Sequence, residues 1–235
     1  MIFFVLIFLT GASVGSFLEL TAMRTTAGGS ILRPRSHCDA CHHVLEPPDL
    51  IPIASYLLLR GRCRHCGARF SPMSTITELC TGMLFVLFVE RFGLTPYTVW
   101  LLLVLCLLFI MARIDLATGE VYDRLLYLLA GFCILHGIFW LRPLTAPVPG
   151  LLLWLLFSVL VKDRMGDGDK ILIALMFLLY PPSLQLRFFL YSVWAAAIVS
   201  VILLLRGASR KTEIPFVPFL LIGFVFVQVL HGGTA

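Results

Sequence analysis

The chain has 235 residues, 60% of them hydrophobic and 13% charged, with a mean hydropathy of +0.98 and a formal charge of +5. A water-soluble domain of that length cannot hide so large an apolar fraction, which excludes an ordinary soluble enzyme and makes the chain an integral membrane protein. The apolar residues fall in blocks of about 17 to 22, the length at which a helix crosses the hydrocarbon layer, so helices rather than a barrel are expected.

The first block covers residues 1–22 and contains the small residues GASVGS. A signal peptide would also open with apolar and small residues. This block lacks a basic opening segment and its apolar part is long, so it is read as a span. A polar loop follows at 24–74, and seven further blocks lie near 75–92, 97–114, 122–141, 148–162, 170–186, 188–206 and 214–231. The expected fold is therefore an all-α polytopic membrane protein with about eight transmembrane helices. Its domains are a first transmembrane helix at 1–23, a loop module at 24–74 and a transmembrane helical domain at 75–235. Threading eight spans leaves 15 of the 18 Lys and Arg residues on one side and only Arg91, Arg142 and Arg187 on the other. Positive charge stays in the cytoplasm, so the 24–74 loop is cytoplasmic and both chain ends lie outside.

The loop carries a pattern of its own. CDAC at 38–41 and CRHC at 63–66 are two Cys-x-x-Cys knuckles separated by 21 residues, a spacing at which Cys38, Cys41, Cys63 and Cys66 can converge on one zinc ion. Two disulfides are the alternative, but a loop in the reducing cytosol favours zinc. A polar segment of this length buries little core, so the metal would supply the folding constraint, and four thiolates leave no open position for catalysis. His37, His42, His43 and His65 flank the knuckles as solvated neighbours. Cys80, Cys106 and Cys133, inside apolar blocks, are read as small buried hydrophobes, and His136 and His231 as interface residues.

Two acids need explaining. Asp115 ends the third block in ARIDLATGEVYD, and Asp169 opens the sixth in MGDGDK, so the topology brings both to the cytoplasmic ends of helices. Acids near a membrane are expensive unless they pair or perform chemistry, and two facing carboxylates can share a proton and activate water for amide hydrolysis. Gly166 and Gly168 leave room there for a substrate backbone. A helix cap or solvated loop would account for such acids equally well, and Asp123, Asp163 and Asp167 are as acidic and as near, so spacing does not choose among them.

The chain as a whole resembles the bacterial type IV prepilin peptidases, membrane aspartic proteases of the GxGD class, many of which also act as N-methyltransferases. The resemblance is carried by GASVGSFLE at 11–19, RSHCDACHHVLEPPDLIPIASYLLLRGRCRHCGARFS at 35–71, TEL at 77–79, IDLATGEVYD at 114–123 and GDGD at 166–169. It implies that Asp115 and Asp169 are the catalytic pair, that Asp167 occupies a variable position, and that Cys38, Cys41, Cys63 and Cys66 are the family's cytoplasmic tetrad. It further implies cleavage of a basic leader from prepilins or pseudopilins at the cytoplasmic face of the bacterial inner membrane. A second activity would methylate the new amino terminus with S-adenosylmethionine, the loop module and first span contributing. Nucleic acid is not an expected partner. Glu46, Asp49, Glu120, Asp123 and Asp163 are candidates to attract the basic leader, although each also reads as a solvated surface charge. The chain departs from the family at Glu19, where Asn commonly follows GSFL, at Tyr122, where Pro precedes the acid, and at Lys170, which comes one residue early. The competing readings are a non-catalytic zinc-knuckle scaffold of a pilus or secretion system, and a small transporter, which would place its acids near mid-membrane. On helix ends alone, Asp115 at a helix C-terminus is expected to hold the shared proton and Asp169 at an N-terminus to be the base toward water.

Overall fold

The computed structural model describes residues 1–139, 148–160, 165–209 and 214–232. Those residues form helices joined by short connections, and they contain no β-strand beyond two isolated bridges in the loop module. The chain divides into two compact units, Met1–Leu102 and Leu103–Ala235.

In the first unit α1 (Ile2–Thr26) packs along α3 (Met73–Phe92). Their partners run in opposite order: Phe8 meets Gly82, Gly11 meets Phe85 and Thr81, and Gly15 meets Thr81 and Thr77, so the two helices are antiparallel. Lipid tails are as apolar as leucine, so helices in a bilayer associate through close van der Waals contact, which small residues permit. Gly11 and Gly15 stand one turn apart on that seam. A Cβ at Gly11 would come within 2.7 Å of the Phe85 side chain, and one at Gly15 would overlap the Thr81 hydroxyl. Between α1 and α3 lies the loop module, with a 3-10 turn at Pro47–Leu50 packed on the short helix α2 (Ala54–Leu58). Helix α4 (Pro96–Thr118) opens in this unit and continues into the second.

The second unit contains the rest of α4 with α5 (Asp123–Phe139), α6 (Val148–Leu160), α7 (Asp167–Leu179), α8 (Pro182–Leu205) and α9 (Val217–His231). Helix α7 packs against α5 and α6, and α8 against α9. The core is built from Leu108, Met111 and Ile114 of α4, Leu129 of α5, Leu172, Ile173 and Met176 of α7, Phe188 of α8 and Phe224 of α9. Trp154 donates its indole N–H to the Lys170 carbonyl at 2.6 Å, tying α6 to the first turn of α7. Gly223 lets α9 approach α8 so closely that a Cβ would overlap the Ser192 hydroxyl.

Each expected block holds a helix, but only α1, α3, α4 and α8 are long and apolar enough to cross a membrane among the described residues; α9 is apolar and shorter. The fourth and fifth blocks run past the described residues at 140–141 and 161–162. The break between the sixth and seventh blocks falls at Tyr180–Pro181 instead of residue 187. Neither Pro181 nor Pro182 has an N–H to continue α7, and Pro182 with its fixed φ starts α8 as a first-turn proline. The Gln185 side-chain amide then donates to the carbonyls of Phe177 and Tyr180 at 3.0 and 3.1 Å, the first of which also accepts the Tyr180 N–H. A Gly15→Val substitution is expected to lower the thermal stability of the detergent-solubilised protein by about 1–3 kcal/mol through overpacking. Unchanged unfolding temperature on a scan would show that the α1–α3 seam is looser than described.

Candidate functional site

The four loop cysteines converge. Their sulfurs all lie within 4.8 Å of one another, with Cys38 Sγ 3.8 Å from Cys66 Sγ and Cys41 Sγ 4.0 Å from Cys63 Sγ. A tetrahedron with Zn–S bonds of about 2.3 Å has edges of roughly 3.8 Å, so the donor set fits a tetrahedral thiophilic ion. The two knuckles are built alike. Cys38 N–H donates to the His43 carbonyl at 2.9 Å and His42 N–H returns to Cys38 at 2.8 Å; Cys63 N–H donates to Ala68 at 2.8 Å and Gly67 N–H returns to Cys63 at 3.0 Å. The closing residue of each turn has a left-handed backbone, φ 71° at Gly67 and φ 56° at His42. His42 thus occupies a glycine-like position, which reading it as a ligand neighbour did not reveal. The amide N–H groups of Cys66 and His65 draw the Cys63 thiol down to about 7, while at Cys66 the Ala68 N–H is outweighed by burial and the neighbouring thiols, which push that thiol up to about 11.

The segment between the knuckles is fastened at two points. Arg64, inside the second knuckle, donates through Nε and a terminal nitrogen to Asp49 Oδ1 at 3.0 and 2.7 Å. Burial alone would raise the Asp49 carboxyl, and the Arg64 guanidinium overcomes it, holding the group below its ordinary value. At Ile53 the chain makes a tight γ-turn, φ 63° and ψ −50°, closed by Ala54 N–H to the Pro52 carbonyl at 2.6 Å. That geometry is strained for a β-branched residue. It is held by Glu78 of α3, whose carboxylate accepts the Ile53 N–H at 2.8 Å and the Ser74 hydroxyl at 3.3 Å. Glu19, buried on α1, accepts the Thr77 hydroxyl at 3.1 Å. A hydrogen bond across 25 residues, as between Ile53 and Glu78, has no local sequence signal.

In the second unit the acids separate by environment. Asp115, near the C-terminal end of α4, is buried at 3% exposure, and its Oδ2 accepts the main-chain N–H of Val217 at 2.9 Å. Asp169, in the first turn of α7 and outside the four span-length helices, is half-buried, and its Oδ1 has no hydrogen-bond partner among the described residues. Burial first, and the charge of Asp115 second, push the Asp169 carboxyl up to about 6. The two groups therefore sense each other. By contrast Asp123 is exposed, and Asp167 is solvated and ion-paired to Lys170 at 2.9 Å. Asp163 lies outside the described residues. Gly168 is needed for packing: a Cβ there would lie 2.9 Å from Val121 Cβ, in the connection that follows Asp115. The glycine expected to face a substrate thus seats α7 against its neighbour, while the space at Gly166 is open, with Asp169 Oδ2 3.9 Å away.

Residues 9–92 match the model of the bacterial peptidase A24 N-terminal domain and residues 102–203 that of the type IV leader peptidase family. Among curated proteins, the prepilin leader peptidase/N-methyltransferase of Myxococcus xanthus is 31% identical over 90% of this chain and 67% of the relative. The protein of that name from Bacillus subtilis is 29% identical over 97% of this chain and 94% of its own. Its namesake in Stutzerimonas stutzeri is 32% identical over 88% of this chain and 75% of the relative. No solved structure matches the chain. With both halves matched and the cysteine tetrad and GDGD segment inside the matched ranges, the chain belongs to the type IV leader peptidase family.

Proposed function

We propose that this protein is a membrane aspartic endopeptidase that removes the basic leader from type IV prepilins or prepilin-like proteins at the cytoplasmic face of the bacterial inner membrane. The observation that supports the reading is the placement of the two acids: Asp115 is buried near the end of α4, and Asp169 is half-buried in the first turn of α7 with an unpartnered oxygen, whereas Asp167 on the same turn is solvated. Two carboxyl groups that cannot both ionise share one proton, and such a pair can do both halves of amide hydrolysis. The carboxylate takes a proton from water as the oxygen attacks the scissile carbonyl. The acid gives its proton to the carbonyl oxygen. On collapse of the tetrahedral diol one hydroxyl proton returns to the ionised member of the pair, the protonated member gives its proton to the departing amine, and the C–N bond breaks, so the site ends as it began. The bias of Lys and Arg toward one side of the threaded chain supports a cytoplasmic site.

The cysteine module is proposed to hold one zinc ion through Cys38, Cys41, Cys63 and Cys66, a role supported by the spacing of the four sulfurs. An ion held by four thiolates supplies a folding constraint and no open coordination position, so it takes no part in hydrolysis. The relatives' names also carry N-methyltransferase activity, which would draw on S-adenosylmethionine. The open apolar surface of α1 formed by Leu6, Leu9, Thr10, Ser13, Val14 and Phe17 offers no charged partner to that molecule's amino-acid end and does not fit it.

Purified Asp115→Asn and Asp169→Asn variants are each expected to lose cleavage of a prepilin, followed by product mass and amino terminus, while remaining folded by circular dichroism. Full processing by either would exclude the shared-proton mechanism. Elemental analysis is expected to give close to one zinc per chain, lost in a Cys38→Ser, Cys63→Ser double variant. Gly67→Val forces a β-branched residue into the left-handed region and is expected to weaken zinc retention against a chelator by about 1–2 kcal/mol. His42→Gly should be nearly neutral, because relief of strain is offset by added freedom in the unfolded chain.

A further inference from the structure

Resting on the aspartic-protease reading, we propose that the main-chain N–H groups opening α9 position the catalytic pair. They hold Asp115 as the carboxylate that takes the proton of the attacking water, and Asp169 carries the shared proton and gives it to the scissile carbonyl. This reverses the assignment that helix ends alone suggest.

The sequence of this turn makes it a donor. In Pro215-Phe216-Val217-Pro218 the two prolines have no N–H, and the amides of Phe219 and Leu220 already turn back to the Phe216 carbonyl at 3.0 and 3.3 Å. The N–H groups left unspent at the opening of α9 are those of Phe216 and Val217. Val217 N–H meets Asp115 Oδ2 at 2.9 Å. Both residues of that bond are sequestered: Val217 is 0% and Asp115 3% exposed. A carboxyl oxygen that receives a main-chain N–H is suited as an acceptor, and such a bond favours the ionised form. The positive end of the α9 dipole acts in the same sense. Thus Asp115, although near the end of α4, is served by the start of a helix 102 residues away.

Asp169 has the complementary surroundings. Its Oδ1 is buried without a partner among the described residues, a costly state for a charged oxygen and a suitable one for a hydroxyl awaiting a carbonyl acceptor. Among the described residues, the charges near Asp169 in sequence are engaged elsewhere or exposed. Lys170, next in the chain, directs its ammonium to Asp167, while Glu120, Asp123 and Arg124 are exposed. Arg113 is two residues from Asp115 on the same helix, a spacing that sends the two side chains to different sides. Bond by bond, the water's O–H breaks toward Asp115, its oxygen bonds the carbonyl carbon, and the Asp169 proton completes the diol. On collapse the diol's proton returns to Asp169, the amine takes the other from Asp115, and the C–N bond breaks.

The test uses the full chain in nanodiscs. The protonated-carboxyl stretching band is followed by infrared difference spectroscopy from about pH 4 to 8 in the two single variants. Asp115→Asn, which keeps Asp169, is expected to hold its band to higher pH than Asp169→Asn, which keeps Asp115. Separately, exchanging Val217 for its α-hydroxy acid turns the donor N–H into an ester oxygen while keeping the valine side chain. This change is expected to lower kcat roughly tenfold or more, the effect of losing a hydrogen bond to a charged group, with KM within about twofold. The reverse order of the two bands, or an ester variant with unchanged kcat, would overturn the proposal. Cleavage surviving in either Asp→Asn variant would instead defeat the aspartic-protease reading, and is read from a different measurement.

Discussion

The second unit depends on what is done with a carboxyl group buried at the end of an apolar helix. Asp115 follows a run of Leu, Ile, Phe and Met residues that packs the centre of the unit, so it arrives where water does not serve it. The bond from Val217 N–H answers the acid, and in the same stroke satisfies an amide at the opening of α9. One contact thereby joins the C-terminal part of α4 to the start of α9. Helix α9 is packed on α8 through Gly223, and Gln185 of α8 caps α7, the helix that carries Asp169.

Much of this was legible in the sequence wherever the signal is local. The Cys-x-x-Cys pairs at 38–41 and 63–66 announced a tetrahedral cluster, since each knuckle is a short turn whose geometry its own residues dictate. Blocks of apolar residues announced helices, and each block has one. What stayed hidden depends on tertiary contact or on backbone detail. Two consecutive prolines at 181 and 182 divide the last apolar stretches, yet composition ran the sixth block across them because leucine and phenylalanine continue on both sides. The left-handed backbone of His42 is disguised because histidine tolerates it. The roles of Glu78 at Ile53 and of Val217 at Asp115 join residues 25 and 102 positions apart, beyond any periodicity.

The glycines divide in a way that residue type did not reveal. On α1 and α3, Gly11, Gly15 and Gly82 serve close approach of two helices, as small residues commonly do in a bilayer. In GDGD the same principle acts at Gly168, where the neighbour is Val121 in the connection that follows Asp115. The motif therefore brings the loop after one acid against the helix turn that bears the other. A spacing motif and a packing requirement are here the same fact: the residue between Asp167 and Asp169 must be small for α7 to sit where it does.

Polar groups inside apolar helices generally find partners close by, and the second unit keeps to this. Ser192 turns its hydroxyl to the Phe188 carbonyl at 2.9 Å, Cys133 its thiol to Leu175, Gln185 its amide to the end of α7, and Asp115 its oxygen to α9. Among the described residues of this unit, the one buried side-chain oxygen or nitrogen with no partner is Oδ1 of Asp169. An unsatisfied buried oxygen costs on the order of 1–3 kcal/mol, a sizeable share of a domain's net stability. On the proposed mechanism, the one oxygen this unit leaves open is the one that would meet a substrate carbonyl. On that proposal, a bound peptide would supply the acceptor that Asp169 Oδ1 lacks among the described residues.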